Sequence, residues 1–163
     1  MFRVEENGVF RGIVTFLNAV LNAGCVGDEQ VSPTAGIKAT KLEHQHRAAY
    51  AQESDTTAAA ETRVVHVAHG TSGALKSVKA GCVVPCVGDA TITVDLKVNG
   101  ASVLVSTIGL SSSQSARELV AGTIDTDTLS AGDVVEIAVT VNAGTGTLGK
   151  GVFAYVDVHE DES

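Results

Sequence analysis

From Thr62 onward apolar residues recur at every second position, most clearly from Ala90 to Val98, where Ile92, Val94, Leu96 and Val98 alternate with Thr91, Thr93, Asp95 and Lys97. A period of two with one apolar face predicts a half-buried antiparallel strand. Asn99-Gly100 follows and supplies the two positive-φ positions of a type I′ turn. A two-residue loop would set Val98 opposite Ala101, Leu96 opposite Val103, Val94 opposite Val105 and Ile92 opposite Thr107. Further strands are predicted over Thr62 to His69, Ala74 to Val84, Ala116 to Ile124, Val134 to Asn142 and Gly151 to His159, with turn chemistry in most of the intervening loops. In the strand from Val134, the set Val135, Ile137, Val139 and Val141 shares one face. In the last strand, Val152, Ala154, Val156 and Val158 oppose Phe153, Tyr155, Asp157 and His159, so its second face should be partly covered as well. Seven or eight strands with no intervening helices predict an all-β fold, an antiparallel two-sheet β-sandwich of jelly-roll type.

The chain before Thr62 follows other patterns. Ile13, Phe16, Leu17, Val20 and Leu21 lie on one helical stripe that Gly24 would stop, which predicts a short N-terminal helix. Gly12, Val14 and Thr15 favour an extended apolar strand instead. Residues 24 to 61 carry Gly24, Gly27, Pro33 and Gly36 among Ala, Thr, Gln, Glu and His, and read as an extended arm held by contacts, including contacts from another chain. The expected division is therefore an N-terminal segment and arm over 1–61 and a sandwich over 62–163. The apolar run ending in Ala23-Gly24-Cys25 does not make an export signal, because Glu5 and Glu6 occupy the leader and Asn18 and Asn22 interrupt the run. An unexported chain made in the cytoplasm is expected.

Composition narrows the function classes. At 163 residues one domain with a substantial core is expected. No segment approaches the roughly 20 uninterrupted apolar residues of a membrane-spanning helix, so a soluble chain with no membrane partner is expected. With no Trp, two Tyr and four Phe, little ring surface exists for stacking sugars or bases. The net charge of −8, with eleven scattered basic residues, argues against a nucleic-acid partner. Cys82 and Cys86 would stand roughly 13 Å apart in an extended strand, beyond disulfide reach unless Pro85 bends the chain. With Cys25 the count is odd, and a reduced pair of small core residues is expected at 82 and 86.

Each cluster with chemical potential has a plainer reading. His44 and His46 would share a face in an extended segment, but His66, His69 and His159 have no spacing that ties them to that pair, so no metal site is expected and the latter three read as strand-end surface. Ser111 to Ser115 reads as a polar loop, and no strained Gly-flanked nucleophile turn appears, so no catalytic residue is assigned. Asp125, Asp127 and Asp133 lack the oxygen count and Gly spacing of a calcium loop and read as turn caps. Gly144 to Lys150 connects two strands rather than opening a helix, which argues against a phosphate cradle. No cofactor is implied. Glu160-Asp161-Glu162 reads as a solvated terminus.

Several stretches taken in order do carry a resemblance: Lys41-Leu42-Glu43-His44 in the arm, Gly88-Asp89-Ala90 through Asp95 leading to Asn99-Gly100, Leu129 through Gly132-Asp133-Val134-Val135, and Val152 through Val156. Over about residues 38 to 160 the chain resembles the jelly-roll decoration and head-fibre proteins of tailed phages. The Ala131-Gly132-Asp133 turn is also similar to that of trimeric tumour-necrosis-factor and complement-type jelly rolls. The phage resemblance implies a non-enzymatic cement protein, a homotrimer on the outer surface of an icosahedral shell, whose partners are the major capsid protein and copies of itself. The arm residues assigned to partner contact are Ile37, Lys41, Leu42, His44, His46, Arg47 and Tyr50. Two alternatives remain open. A tail-fibre or carbohydrate-binding sandwich requires a ring-lined groove, and a small hydrolase requires convergent ionisable groups in a pocket.

Overall fold

The computed structural model describes residues 43–161, all of them strand, turn or loop. The apolar segment from Ile13 and the arm as far as residue 42, including Ile37, Lys41 and Leu42, lie outside the described residues. Ten strands follow in order: β1 (Glu43–Ala51), β2 (Glu61–Val67), β3 (Ser72–Val84), β4 (Thr91–Val98), β5 (Ala101–Ser102), β6 (Ile108–Leu110), β7 (Val120–Gly122), β8 (Thr128–Ser130), β9 (Val134–Asn142) and β10 (Lys150–Asp161). One sheet runs β1-β10-β3, with β7 and β8 both on the far side of β3. The other runs β2-β9-β4, with β5 and β6 both on the far side of β4. Taking β5 with β6 and β7 with β8 as interrupted strands leaves eight, ordered first-eighth-third-sixth in one sheet and second-seventh-fourth-fifth in the other. Every pairing is antiparallel, and this connectivity is that of a jelly roll.

The alternation seen in the sequence builds the core. Leu75, Val78 and Ala80 of β3 and Val152, Ala154, Val156 and Val158 of β10 line one inner face. Ile92, Val94 and Leu96 of β4 and Val135, Ile137 and Val139 of β9 line the other, and all of them belong to one buried cluster. Burying each of the larger side chains contributes about 1.5–3 kcal/mol relative to exposure. Branched aliphatics suit this role because they pack well on a pleated surface. Cys82 and Cys86 are free thiols buried beside this core. Burial, then the neighbouring Cys86, pushes the Cys82 thiol above its usual range, which favours the thiol over the nucleophilic thiolate.

Three sequence expectations are corrected. The hairpin turn is as predicted, with Asn99 at φ 51° and Gly100 at φ 82°, and the first pairs are Val98 with Ala101 and Lys97 with Ser102. Beyond Val103 the chain leaves β4. Val105 N donates to Thr123 O and Asp125 N donates to Val103 O, so β4 next meets β6, with Val94 opposite Ile108 and Ile92 opposite Leu110. Ile108 and Leu110 are buried there, whereas Val105 is exposed, so the better apolar pair takes the position that a uniform register would have given to Val105 and Thr107.

The strand expected over Ala116 to Ile124 shrinks to Val120–Gly122. Arg117 sits at φ 62° and donates its backbone N–H to Cys82 O, while Glu118 accepts from Ser115 N, which makes a capped turn. Finally, residues 43–51, read as arm, are an integral strand paired with β10 over its whole length. Small alanines among polar residues hid that strand from a hydrophobic pattern.

Glycine positions give a direct test of this geometry. A Cβ at Gly146 would collide with the backbone of Val87, Asp89 and Ala90, whereas a Cβ at Gly109 would meet nothing within 4 Å. Gly146→Ala should lower the urea-unfolding free energy by about 2–3 kcal/mol, while Gly109→Ala should change it by less than about 0.5 kcal/mol.

Candidate functional site

The ionisable and polar side chains concentrate where β1, the edge of one sheet, runs beside β2, the edge of the other. Two clusters bridge this seam. In the first, the buried Tyr50 hydroxyl donates to Glu61 Oε2 (3.0 Å) and accepts from Gln52 Nε2 (2.8 Å). Gln52 also exchanges hydrogen bonds with the Ala59 backbone, donating to its carbonyl and accepting from its N–H. Arg63 donates to Glu61 Oε1 and lies 5.3 Å from the Tyr50 ring centroid. Burial, then the Glu61 carboxylate, pushes the Tyr50 phenol up to about 12. Arg63, then Tyr50, holds Glu61 below the usual carboxylate range.

In the second cluster, Glu160 near the end of β10 is only 6% exposed and points to the inner side. Its Oε1 accepts from His69 N (3.0 Å) and meets His66 Nε2 (3.0 Å), while its Oε2 lies 3.5 Å from His46 Nε2. The His46 and His66 rings stack with centroids 5.6 Å apart. Burial pushes the Glu160 carboxyl up, but hydrogen bonds from His66 and His69 and the nearby imidazoles outweigh it, leaving the group below its ordinary value. One carboxylate thus ties β10 to β1 and β2.

A third tie lies on the outer face of the β1-β10-β3 sheet. Arg47 donates twice to Asp157 (2.7 and 3.1 Å) and stacks 4.5 Å above the Tyr155 ring, and Ser77 donates to Asp157 Oδ2 (2.7 Å). Hydrogen bonds from Arg47 hold the Asp157 carboxyl below its usual range.

Among the residues assigned to partner contact, the structure places His46, Arg47 and Tyr50 in these ties. Tyr50 is a core residue, 2% exposed, and so offers no surface to a partner. Of His44 the backbone is described, opposite Glu160 in the ladder. His66, read as strand-end surface, is joined to His46 through Glu160, and Glu160 itself, read as solvated terminus, is a buried strand residue. Sequence reasoning also missed Glu61, Gln52, Ser77 and Asp157 as members of these clusters. The only available signal was the polar second face of the last strand.

Other candidates resolve as local structure. Asp89 fills the Gly-rich loop, accepting from Thr145 N (2.9 Å) and Thr145 Oγ1 (3.1 Å). Asp133 accepts from Ser130 N and Asn99 Nδ2, a turn cap. Ser111 and Ser113 bond to each other, and Ser111 bonds to Gln114 as well. Among the described residues no group of three or more His, Cys, Asp or Glu is arranged to hold a metal ion. An open groove of about 570 Å³ runs where the chain crosses from β7 to β8 along β3, lined by Lys76, Ser77, Lys79, Thr123, Asp125 and Asp127 among others, with no aromatic ring in its lining. No family model and no curated protein sequence matches the chain.

Titration tests these assignments. A carboxyl held below its unfolded value contributes stability that is whole above that value, near pH 4, and is lost as pH falls through the lower folded value. Unfolding free energy should therefore drop on acidification from about pH 5, with a shallower slope in Glu160→Gln and Asp157→Asn. Tyr50, with its raised folded value, contributes stability that is whole below about pH 10 and is lost as pH rises through about 12. Alkaline absorbance titration should show an ionisation at about 12 that Tyr50→Phe removes.

Proposed function

We propose that this chain is a structural, non-enzymatic jelly-roll module that decorates the outside of a viral shell, binding the major capsid protein and copies of itself. The observation that carries this reading is the employment of the ionisable clusters. Arg47–Asp157, Tyr50–Glu61 and the imidazoles around Glu160 all tie strand to strand, and none of these side chains lines the open groove along β3. Such a network stiffens a scaffold and leaves little for turnover. The jelly-roll connectivity is one that capsid components use, which agrees with the sequence resemblance to decoration and head-fibre proteins.

In this mechanism the acidic sandwich stands in solvent while the residues before Glu43 bury surface across neighbouring shell subunits, and copies sit as trimers at local three-fold positions, resisting pressure from within. Several weak contacts on one repeating lattice then add through effective concentration. A carbohydrate-binding role would fall to the groove beside β7 and β8, whose lining offers no ring for a sugar to stack on.

The test is attachment to undecorated shells, read by cryo-electron microscopy. The full chain should add density of sandwich size on the outer surface. Because β1 belongs to the sheet, the informative truncation removes residues 1–42; cutting at residue 60 would also remove a strand. The shortened chain should stay folded and lose attachment. Attachment that survives the truncation would move the binding surface to the sheets, and shells that gain no density from the full chain would overturn the reading.

A further inference from the structure

We propose that the outer edge of β1 pairs with the same edge of a second copy, antiparallel across a two-fold axis, so that two β1-β10-β3 sheets become one. The inference rests on the fold alone, concerns a two-fold contact in solution that is separate from three-fold packing on a shell, and holds whether or not the chain decorates one.

Backbone geometry supplies the sticky surface. Gln52 N donates to Val152 O, and the alternation of an antiparallel ladder then turns the backbone groups of His46, Ala48 and Tyr50 toward β10. The N–H and C=O groups of Gln45, Arg47 and Ala49 therefore point away from the sheet. All three residues are exposed, and among the described residues β1 has no ladder partner other than β10.

Natural edge strands are usually guarded by a bulge, a Pro or an outward Lys. The edge at β2 is guarded in this way, since its register with β9 slips between Val64 and His66. Among the described residues, the edge at β1 has none of these three devices. Its nine pairs with β10 are continuous, and it contains neither Pro nor Lys. Its one arginine, Arg47, is drawn back over its own sheet to Asp157 and Tyr155.

Charge selects the occupant. The chain carries a net charge of −8, so two copies repel over most of their surface. Gln45–Ala51 contains no carboxylate, which makes this edge a place where one copy can approach another without that penalty. Strand chemistry also selects a register. Placing Ala48 opposite the partner's Ala48 sets Arg47 against the partner's Ala49 and Gln45 against the partner's Ala51, with outward backbone groups meeting as hydrogen-bonded pairs. Centring on Arg47 instead would set guanidinium against guanidinium.

Sedimentation of the full chain over a hundredfold concentration range, combined with residue-resolved amide exchange, tests this. The wild type should dimerise with rising concentration, and the amides of Gln45, Arg47 and Ala49 should become protected in step. Ala49→Pro removes an outward N–H that β10 does not use, and Ala49→Lys adds a guard charge on an exposed position; each should weaken the dimer roughly tenfold or more. Retained protection of the His46 and Ala48 amides shows that β1 is still paired with β10 in either variant. A wild type that stays monomeric, an oligomer that both variants leave unchanged, or fast exchange at Arg47 and Ala49 at dimer concentrations would each overturn the proposal.

Discussion

The seating of β10 between β1 and β3 is the constraint on which the rest of the structure depends. Its inner face, Val152, Ala154, Val156 and Val158, forms the middle of one wall of the core. Its polar residues supply two of the anchoring carboxylates, Asp157 on the outer face and Glu160 at the seam. Without β10, the first strand of the described fold has no ladder partner and β3 has none on that side. Because β10 pairs with β1 across a separation of 110 residues at Arg47 and Asp157, this sheet cannot be completed until β10 is present. Such non-local pairing makes folding slow for its size.

The flank where β1 and β2 end the two sheets is held by polar groups. Jelly rolls bury a core between two sheets and must still manage the flanks where the sheets end. On this flank Tyr50–Glu61–Arg63 and His46–Glu160–His66 take over where apolar packing runs out. Buried polar groups are tolerable only when satisfied, and among the described residues no buried side-chain nitrogen or oxygen lacks a partner. A sheet whose charged groups are committed internally is suited to holding shape, which is the basis of the scaffold reading.

The alternating strands, the Asn99-Gly100 turn and the two-sheet arrangement were legible in the sequence, because period and turn chemistry are local signals. The departures share a physical cause. The shift from Val105 to Ile108 opposite Val94 goes with the bonding of residues 103–105 to 123–125, and the turn at Arg117 with its bond to Cys82 O, both contacts to segments distant in sequence. β1 escaped notice because Gln45-His46-Arg47-Ala48-Ala49 has almost no hydrophobic contrast and becomes a strand through its pairing with β10. The seam was the least legible part. Its members, from His46 to Glu160, come from three strands and the loops beside them, and nothing in their spacing brings them together.

The central claim, that the charged seam exists to hold strands together, is most directly tested by a double-mutant cycle on His66 and Glu160 read through urea unfolding at neutral pH. The account predicts a coupling of about 1–2 kcal/mol, as expected for a hydrogen-bonded pair within one network. Additive single mutants, with coupling indistinguishable from zero, would contradict it.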